Sequence, residues 1–370
     1  MNILCLSFYN LDYGIGASAS SLDELNSLPH GIRAFIIEPN RVDLPRVKVV
    51  LSDAIQRYTI PLPLTRYLSF LHPFLSFFYG LKTASNVKMG VVFSMHHPFH
   101  SLSFTGHVIS RILHVPHVVQ LQDVLRPMGV KLTIFDHLSD ILERIVAKLI
   151  KDDLMVFVCS ENRQILESRT KTKFHNVLIL PNCVSQHLVQ SVQLRKTVRE
   201  KTIHFIFVGR IGPEYGLSKI QRLLSVLPSF GYEPRLLVVG HNQVGMPDSA
   251  TYIGSLPRKE TMQLIAESDV GIGPMYPTIA VPRKVVEYLA LGKVVIIGKN
   301  AVSRDIIKEF GESILEVSEN DDVNQVANKL LTMLKNANFS SKKMDALYCE
   351  SKMQIILDKA LSRKKTNEEA

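Results

Sequence analysis

Between Gly273 and Asn300 the chain reads GPMYPTIAVPRKVVEYLALGKVVIIGKN, and no other stretch constrains the fold as tightly. Just upstream, Asp269 to Gly273 is a short apolar run that predicts a buried strand ending at Pro274. A loop follows, and a helix is expected from Pro282 to Leu291. Proline suits the first helical turn, where its missing N–H would have had no partner. Gly292 is placed to stop the helix, and the β-branched run from Lys293 to Ile297 predicts the next parallel strand. A strand, a polar loop and a helix start bearing Arg283 and Lys284 together make an anion site. Free backbone N–H groups and the helix dipole favour phosphate there. Glu287, one turn on, would then face a ribose rather than the phosphates. The plainer alternative is one more αβ unit of an ordinary parallel sheet.

This stretch resembles the PxKxxEYxAxGKPVI segment of retaining glycosyltransferases of family 4, which have the GT-B fold. The resemblance implies that Glu287 hydrogen-bonds the ribose hydroxyls of a sugar nucleotide, with Pro282, Arg283 and Lys284 also at the donor. Many members carry an earlier Glu eight residues before the second. Here that place is Ile279, a departure that bears on recognition of the donor sugar's hydroxyls.

With 370 residues the chain can hold two domains, each with a sizeable core. A 46% hydrophobic and 21% charged composition is that of a globular protein. The net charge of +9 invites a polyanionic partner. The basic residues are scattered and no nucleic-acid motif accompanies them, so solvated surface is the first reading and anionic lipid the second. Cys5, Cys159, Cys183 and Cys349 lack CxxC spacing, which suits reduced thiols in a cytoplasmic protein without a zinc site. Met1 to Asn10 reads directly as a strand without a basic n-region, so no signal peptide is expected, and no apolar run is long enough to cross a bilayer.

In the first half, Ile3 to Phe8 predicts a buried parallel strand, followed by a loop, a helix over 17–28 and a strand over 34–37. Gly14-Ile-Gly16-Ala-Ser-Ala19 matches the dinucleotide fingerprint on paper, with Glu38 at about the right distance for a nicotinamide cofactor. Five or six residues separate it from the strand, however, whereas the fingerprint glycine makes the turn at once. In the family resembled, a glycine-containing loop at this place lies against the donor, so Gly14 and Gly16 are expected there. A flexible turn is the plain alternative.

Tyr58 to Leu81 is dense in aromatics and broken by Pro61, Pro63 and Pro73. It cannot span a membrane as a helix. It is expected either as a helix buried in the first domain or as an interfacial segment dipping into lipid. Met95-His96-His97-Pro98 brings two histidines without a further ligand at recognisable spacing, so a polar loop near the acceptor is expected. Val115 to Asp123 predicts a strand ending in polar residues, where open α/β sheets bind ligands. It resembles a family segment in which the residue before Asp contacts the donor sugar, which places Gln122 and Asp123 at the site. A helix N-cap is the other role open to Asp123. Helices are expected over 134–151 and 161–168, the second capped by Ser160. Val177 to Val184 resembles the family's VIPNGVD, with Cys183 in place of the usual Gly.

The second half opens with Ile203 to Gly212, similar to the family's FVGRLxPEKG, in which Arg and Lys bind the donor diphosphate. Arg210 matches, Gly209 precedes it, and the family's Lys falls on Tyr215. Lys219 is the nearest later cation, with Lys284 competing for the role. Leu236 to Gly240 and Tyr252 to Gly254 continue the βα alternation. In this family base-recognition contacts lie after Gly254. The absence of an Asp-x-Asp triplet argues against the metal-dependent glycosyltransferase architecture.

The expected fold is α/β, with two Rossmann-like βα domains facing across a cleft and a C-terminal helix returning to the first. The divisions are 1–184 for the acceptor domain, 185–201 for a linker, 202–345 for the sugar-nucleotide domain, 346–361 for the returning helix and 362–370 for a disordered tail. The expected activity is transfer of a sugar from a nucleotide-diphosphate sugar to a hydroxyl of a polysaccharide, glycolipid or lipid-linked glycan. No metal or other cofactor is expected, retention is implied by the resemblance alone, and the protein would be cytoplasmic or peripheral on the inner face of a membrane. The rival readings are an epimerase of the same fold, a transferase-like protein that only binds, and a nicotinamide-dependent oxidoreductase.

Overall fold

The structure is a computed structural model. It describes residues 1–7, 16–41, 51–64, 71–95, 99–121, 134–193, 201–209, 217–240, 250–276, 281–336 and 345–368. The chain divides into two compact units, one of Met1–Pro181 with Cys349–Ala370 and one of Asn182–Tyr348.

In the first unit, apolar β-branched runs form β1 (Asn2–Ser7), β2 (Arg33–Arg41), β3 (Ile55–Leu64), β4 (Val91–Met95), β5 (His117–Leu121), β6 (Leu154–Phe157) and β7 (Asn176–Ile179). They make one parallel sheet in the order β3-β2-β1-β4-β5-β6-β7. The intervening helices are α1 (Gly16–Asn26), α2 (His72–Asn86), α3 (Phe99–Leu113), α4 (Ile134–Ile150) and α5 (Ser160–Thr170). Strand side chains alternate between two apolar faces, as period-two geometry requires. Leu4, Leu6 and Val92 pack with Leu102 and Ile109 of α3. Ile3, Cys5 and Phe93 pack instead against Met353, Ile356 and Leu357 of the last helix, α12 (Cys349–Glu368). The returning helix is therefore part of the first unit's core.

The second unit repeats the plan. Its strands β8 (Thr202–Val208), β9 (Glu233–Val239), β10 (Ala250–Gly254), β11 (Val270–Ile272), β12 (Val294–Gly298) and β13 (Ile314–Val317) form a parallel sheet ordered β10-β9-β8-β11-β12-β13. Its helices are α6 (Gln186–Gln190), α7 (Leu217–Val226), α8 (Arg258–Glu267), α9 (Arg283–Ala290), α10 (Arg304–Phe310) and α11 (Val323–Lys335). In both sheets the strand order reverses once, between β1 and β4 and between β8 and β11, as in doubly wound nucleotide-binding folds.

Four local expectations change. Tyr58 to Leu81 is not one helix: its first part completes β3 and its last part belongs to α2. Pro61 and Pro63 are tolerated because β3 is an edge strand, where a missing N–H breaks no ladder on the open side. Ser160 is the first residue of α5 and Cys159 its N-cap, without a side-chain cap bond. The segment expected as a linker from 185 carries α6, and Val184 and Val192 are buried in the second unit's core. Finally, α12 continues to Glu368, past the point where a disordered tail was expected. Cys5 and Cys159 are buried and outside any disulfide, as expected of reduced thiols, but Cys183 and Cys349 are disulfide-bonded, contrary to that expectation.

Candidate functional site

The reversal between β8 and β11 is where a doubly wound sheet opens a crevice at its C-terminal edge. Three glycines form that edge. Gly209 follows β8 with φ +120°, Gly240 follows β9 with φ +149°, and Gly254 ends β10 with φ +84°. Backbone bonds link them: Gly209 N–H donates to Val239 O and Gly240 N–H to Gly254 O, both at 2.8 Å. A Cβ on Gly240 would lie 2.0 Å from Gly209 O, so only glycine lets these two turns pass so closely.

The helix predicted from the sequence is α9, starting one residue later than expected, with Pro282 as its N-cap. Gly292 adopts φ +67° just past the helix, the left-handed geometry that ends helices. Tyr288 fastens α9 to the sheet. Its ring is fully buried where Gly271 has no side chain, and its hydroxyl accepts the Val208 N–H at 2.9 Å. Burial, only partly offset by that bond, raises the phenol well above its ordinary value. This anchor fixes the rotation of α9, which turns Lys284 towards the end of β8. Lys284 Nζ lies 3.8 Å from the centre of the Phe207 ring and 3.2 Å from where a Cβ on Gly209 would be. Glu287 is buried; its Oε1 accepts a hydrogen bond from Arg258 NH1 at 2.9 Å and forms an ion pair with Arg283 Nε at 3.1 Å. A carboxylate, two guanidiniums and an ammonium thus gather beside the glycine edge, offering anion-binding charge next to a hydroxyl acceptor.

Of the expected site residues, Gly209, Gly254, Pro282, Arg283, Lys284 and Glu287 belong to this edge. Arg210 lies outside the described residues, as do Tyr215 and Ile279. Lys219 falls in the first turn of α7, and its side chain lies outside the described ones. In the first unit Gly14, Gln122, Asp123 and the His96-His97 pair lie outside the described residues, while Gly16 opens α1. Arg258 was not anticipated. Its one sequence signal is a cation in the first turn of the helix after β10.

Glu38 does not serve a ribose as the nicotinamide reading requires. Its fully buried carboxylate is held by Arg57 Nε at 2.6 Å and Thr59 Oγ1 at 3.2 Å, both from β3.

A second cluster of chemical groups sits at the N-terminal ends of β5 and β6. Asp153 Oδ2 is 2.7 Å from Nδ1 of both His107 and His117, and His117 Nε2 is 2.9 Å from Ser94 Oγ. These are the contacts of a serine nucleophile relay, yet Ser94 and His117 are buried. A Cβ on Gly106 would stand 2.2 Å from Ser94 Oγ, so no substrate reaches it. His107, His117 and Asp153 also have the proximity of a metal-ligand trio. Arg111 NH2 approaches Asp153 Oδ1 at 3.6 Å, and with the two imidazole contacts it makes the cluster a polar network joining α3 to β5. Burial raises the Asp153 carboxyl, but the bonds and charge of His107 and His117 outweigh it and hold the group well below the usual carboxylate range.

Two parallel-sheet Rossmann-like units of this kind define the GT-B class of glycosyltransferase folds. Residues 191–347 match the family described as Glycosyl transferases group 1, so the second unit carries that domain. Together the match and the fold support a glycosyltransferase. No curated protein matches the chain by sequence. Among solved structures, HepE from Anabaena in complex with UDP is 16% identical, with full coverage of both chains and a TM-score of 0.60. Sucrose-phosphate synthase from Thermosynechococcus elongatus is 12% identical, covering 100% of this chain and 99% of its own, with a TM-score of 0.64. The lipopolysaccharide outer core galactosyltransferase WaaB is 12% identical, covering 98% and 100%, with a TM-score of 0.62. At these identities the likeness is one of fold.

Proposed function

We propose that the protein transfers a sugar from a nucleotide-diphosphate sugar to a hydroxyl of a glycan, glycolipid or lipid-linked glycan, with retention of anomeric configuration. The observation that carries this reading is Lys284 beside Gly209 at the start of α9, with Glu287 one turn on, held by Arg258 and Arg283. In the reaction the acceptor oxygen bonds to the anomeric carbon as the bond to the nucleoside diphosphate breaks, and the acceptor proton passes to the departing diphosphate. Negative charge grows on the diphosphate oxygens, so the site must supply fixed positive charge and N–H donors. Lys284 and Arg283 at the start of α9 are suited to that task, with Arg210 and Lys219 as further candidates from the sequence. Both arginine contacts fall on Glu287 Oε1, which leaves Oε2 as the oxygen to which a ribose hydroxyl would donate. HepE was solved with UDP, which makes a uridine donor the first to test. No resident metal is required by this scheme. Retention rests on the family resemblance.

The test is to incubate the protein with a panel of sugar nucleotides and follow diphosphate release, with and without glycan and lipid acceptors, and with and without a chelator. Acceptor-dependent release that survives the chelator is the expected result, and NMR of the product reads the anomeric configuration. Conversion of the donor without acceptor would replace this reading with an epimerase. Binding without turnover would reduce it to a transferase-like binding protein.

A further inference from the structure

One helix of the first unit is built against the usual rule. The buried side of α2 is His72, Ser76, Gly80 and Thr83, while Phe74 and Phe78 are 67% and 65% exposed. A helix that turns its small and polar residues inward and its phenyl rings outward is not designed for water alone. Phe77, between them in sequence, packs inward with the apolar cluster under α2. Next to α2 lies α3, which packs between α2 and α4. It exposes Phe104 and Ile112, two turns apart. On α4, Ile141, Ile145 and Leu149 recur at four-residue intervals and are each about half exposed. Three neighbouring helices thus present apolar stripes on one side.

The exposed charges on this side are mainly basic, with the half-buried Asp140 of α4 as an acidic exception. Lys82 on α2 and Arg111 on α3 are exposed, and between Asp53 and Asp123 the sequence contains no other acidic residue. On α4 the acidic Glu143 is turned inward and paired with Arg169 at 2.7 Å, whereas Arg144 and Lys148 are exposed beside Ile141 and Ile145. An apolar surface rimmed by cations fits the boundary between acyl chains and anionic headgroups. No described helix is long and apolar enough to cross a membrane, so contact would be from one side.

We propose that the α2–α3–α4 face docks on an anionic lipid bilayer, with the exposed rings and aliphatic side chains entering the acyl boundary and the basic residues meeting headgroup phosphates. This deepens the lipid-acceptor part of the reading above, which it would supply with substrate at the surface. It differs from the expectation drawn from the sequence, which involved Tyr58 to Leu81 alone.

The full chain is tested by flotation with vesicles of phosphatidylcholine alone and of phosphatidylcholine mixed equally with phosphatidylglycerol, without donor or acceptor. Binding to the anionic vesicles only, weakening with salt, is expected. Phe74→Ser/Phe78→Ser should abolish flotation with an unchanged melting temperature. Arg144→Gln/Lys148→Gln should lower partitioning by about thirtyfold, from roughly 1 kcal/mol per basic side chain at an anionic surface. Absence of wild-type flotation overturns the proposal, as does undiminished flotation of the phenylalanine variant. A lowered melting temperature in that variant would make the rings core and overturn it too. Light scattering gives the last arm: a dimer that the same variant dissociates would assign the face to a second copy instead. Sugar-nucleotide affinity, measured separately without vesicles, should be the same in wild type and both variants. Its loss in wild type would sink the donor reading and leave the lipid result standing.

Discussion

Lys352→Met should destabilise the first unit out of proportion to its small change in volume. Lys352 is on α12, 2% exposed, and its Nζ lies 2.7 Å from Oε1 of the fully buried Glu24 on α1. Gln120 of β5 donates to both oxygens of that carboxylate, at 2.8 and 2.9 Å, and Lys352 also donates to Pro181 O at 3.2 Å. At an effective dielectric of about 20, the attraction across such a contact is roughly 6 kcal/mol, much of it offset by desolvation of the two charges. What the substitution exposes is the remainder plus an unneutralised buried carboxylate, a combined cost of about 3–5 kcal/mol. For a unit of about two hundred residues each kcal/mol lowers the melting temperature by about 2–4 °C, giving a fall of about 6–20 °C. Scanning calorimetry of the full chain should place that fall in one transition and leave the second unit's transition unmoved. Glu24→Gln combined with Lys352→Met should recover much of the loss, because the buried charge is then gone. A single variant within about 1 kcal/mol of wild type would refute the reasoning, since it would mean that Glu24 does not depend on Lys352.

Glu287→Gln should weaken sugar-nucleotide binding by about tenfold to a hundredfold in titration calorimetry, because an amide cannot make the charge-assisted bonds of a carboxylate. Unchanged affinity would remove Glu287 from the ribose. Tyr288→Phe leaves the Val208 N–H without its hydroxyl partner and should cost about 1–3 kcal/mol in denaturant unfolding. Asp153 is held below the usual carboxylate range in the folded state, so its contribution is present above the unfolded value of about 4 and is lost as pH falls from there. Asp153→Asn should therefore lower the melting temperature at neutral pH and flatten its decline in acid. A variant with the acid slope of wild type would contradict the assignment. Gly240→Ala forces a methyl onto Gly209 O at a φ that alanine avoids, and should lower stability by more than about 1 kcal/mol.

What could be read in the sequence was whatever local chemistry decides. The run from Val270 to Gly298 declares strand, helix and strand through a proline at the helix entrance, a glycine at its exit and β-branched residues on either side, and the structure follows it within a residue or two. Long-range pairing has no such signature. Lys352 and Glu24 are 328 residues apart and each, by itself, is an ordinary charged residue on a helix. Arg258 and Glu287 meet only because α8 and α9 flank neighbouring parts of one sheet. Pro61 and Pro63 are misleading for a related reason. Proline forbids a central strand but not an edge strand, and which strand is the edge is a property of the whole sheet. The same logic explains α2. Its phenylalanines read equally as core or as interface, because a helical period gives the angle between side chains but not which side meets the sheet. The packing chose the side bearing Ser76, Gly80 and Thr83, whose small volumes let the helix approach the strands closely. Gly80 allows that approach, since a Cβ there would meet Ile109 of α3 at 2.9 Å and Leu4 of β1 at 3.4 Å. Close packing of the small face therefore forces Phe74 and Phe78 outward. Their exposure follows from how α2 seats on the sheet, so the surface they form is as fixed as the core beneath it.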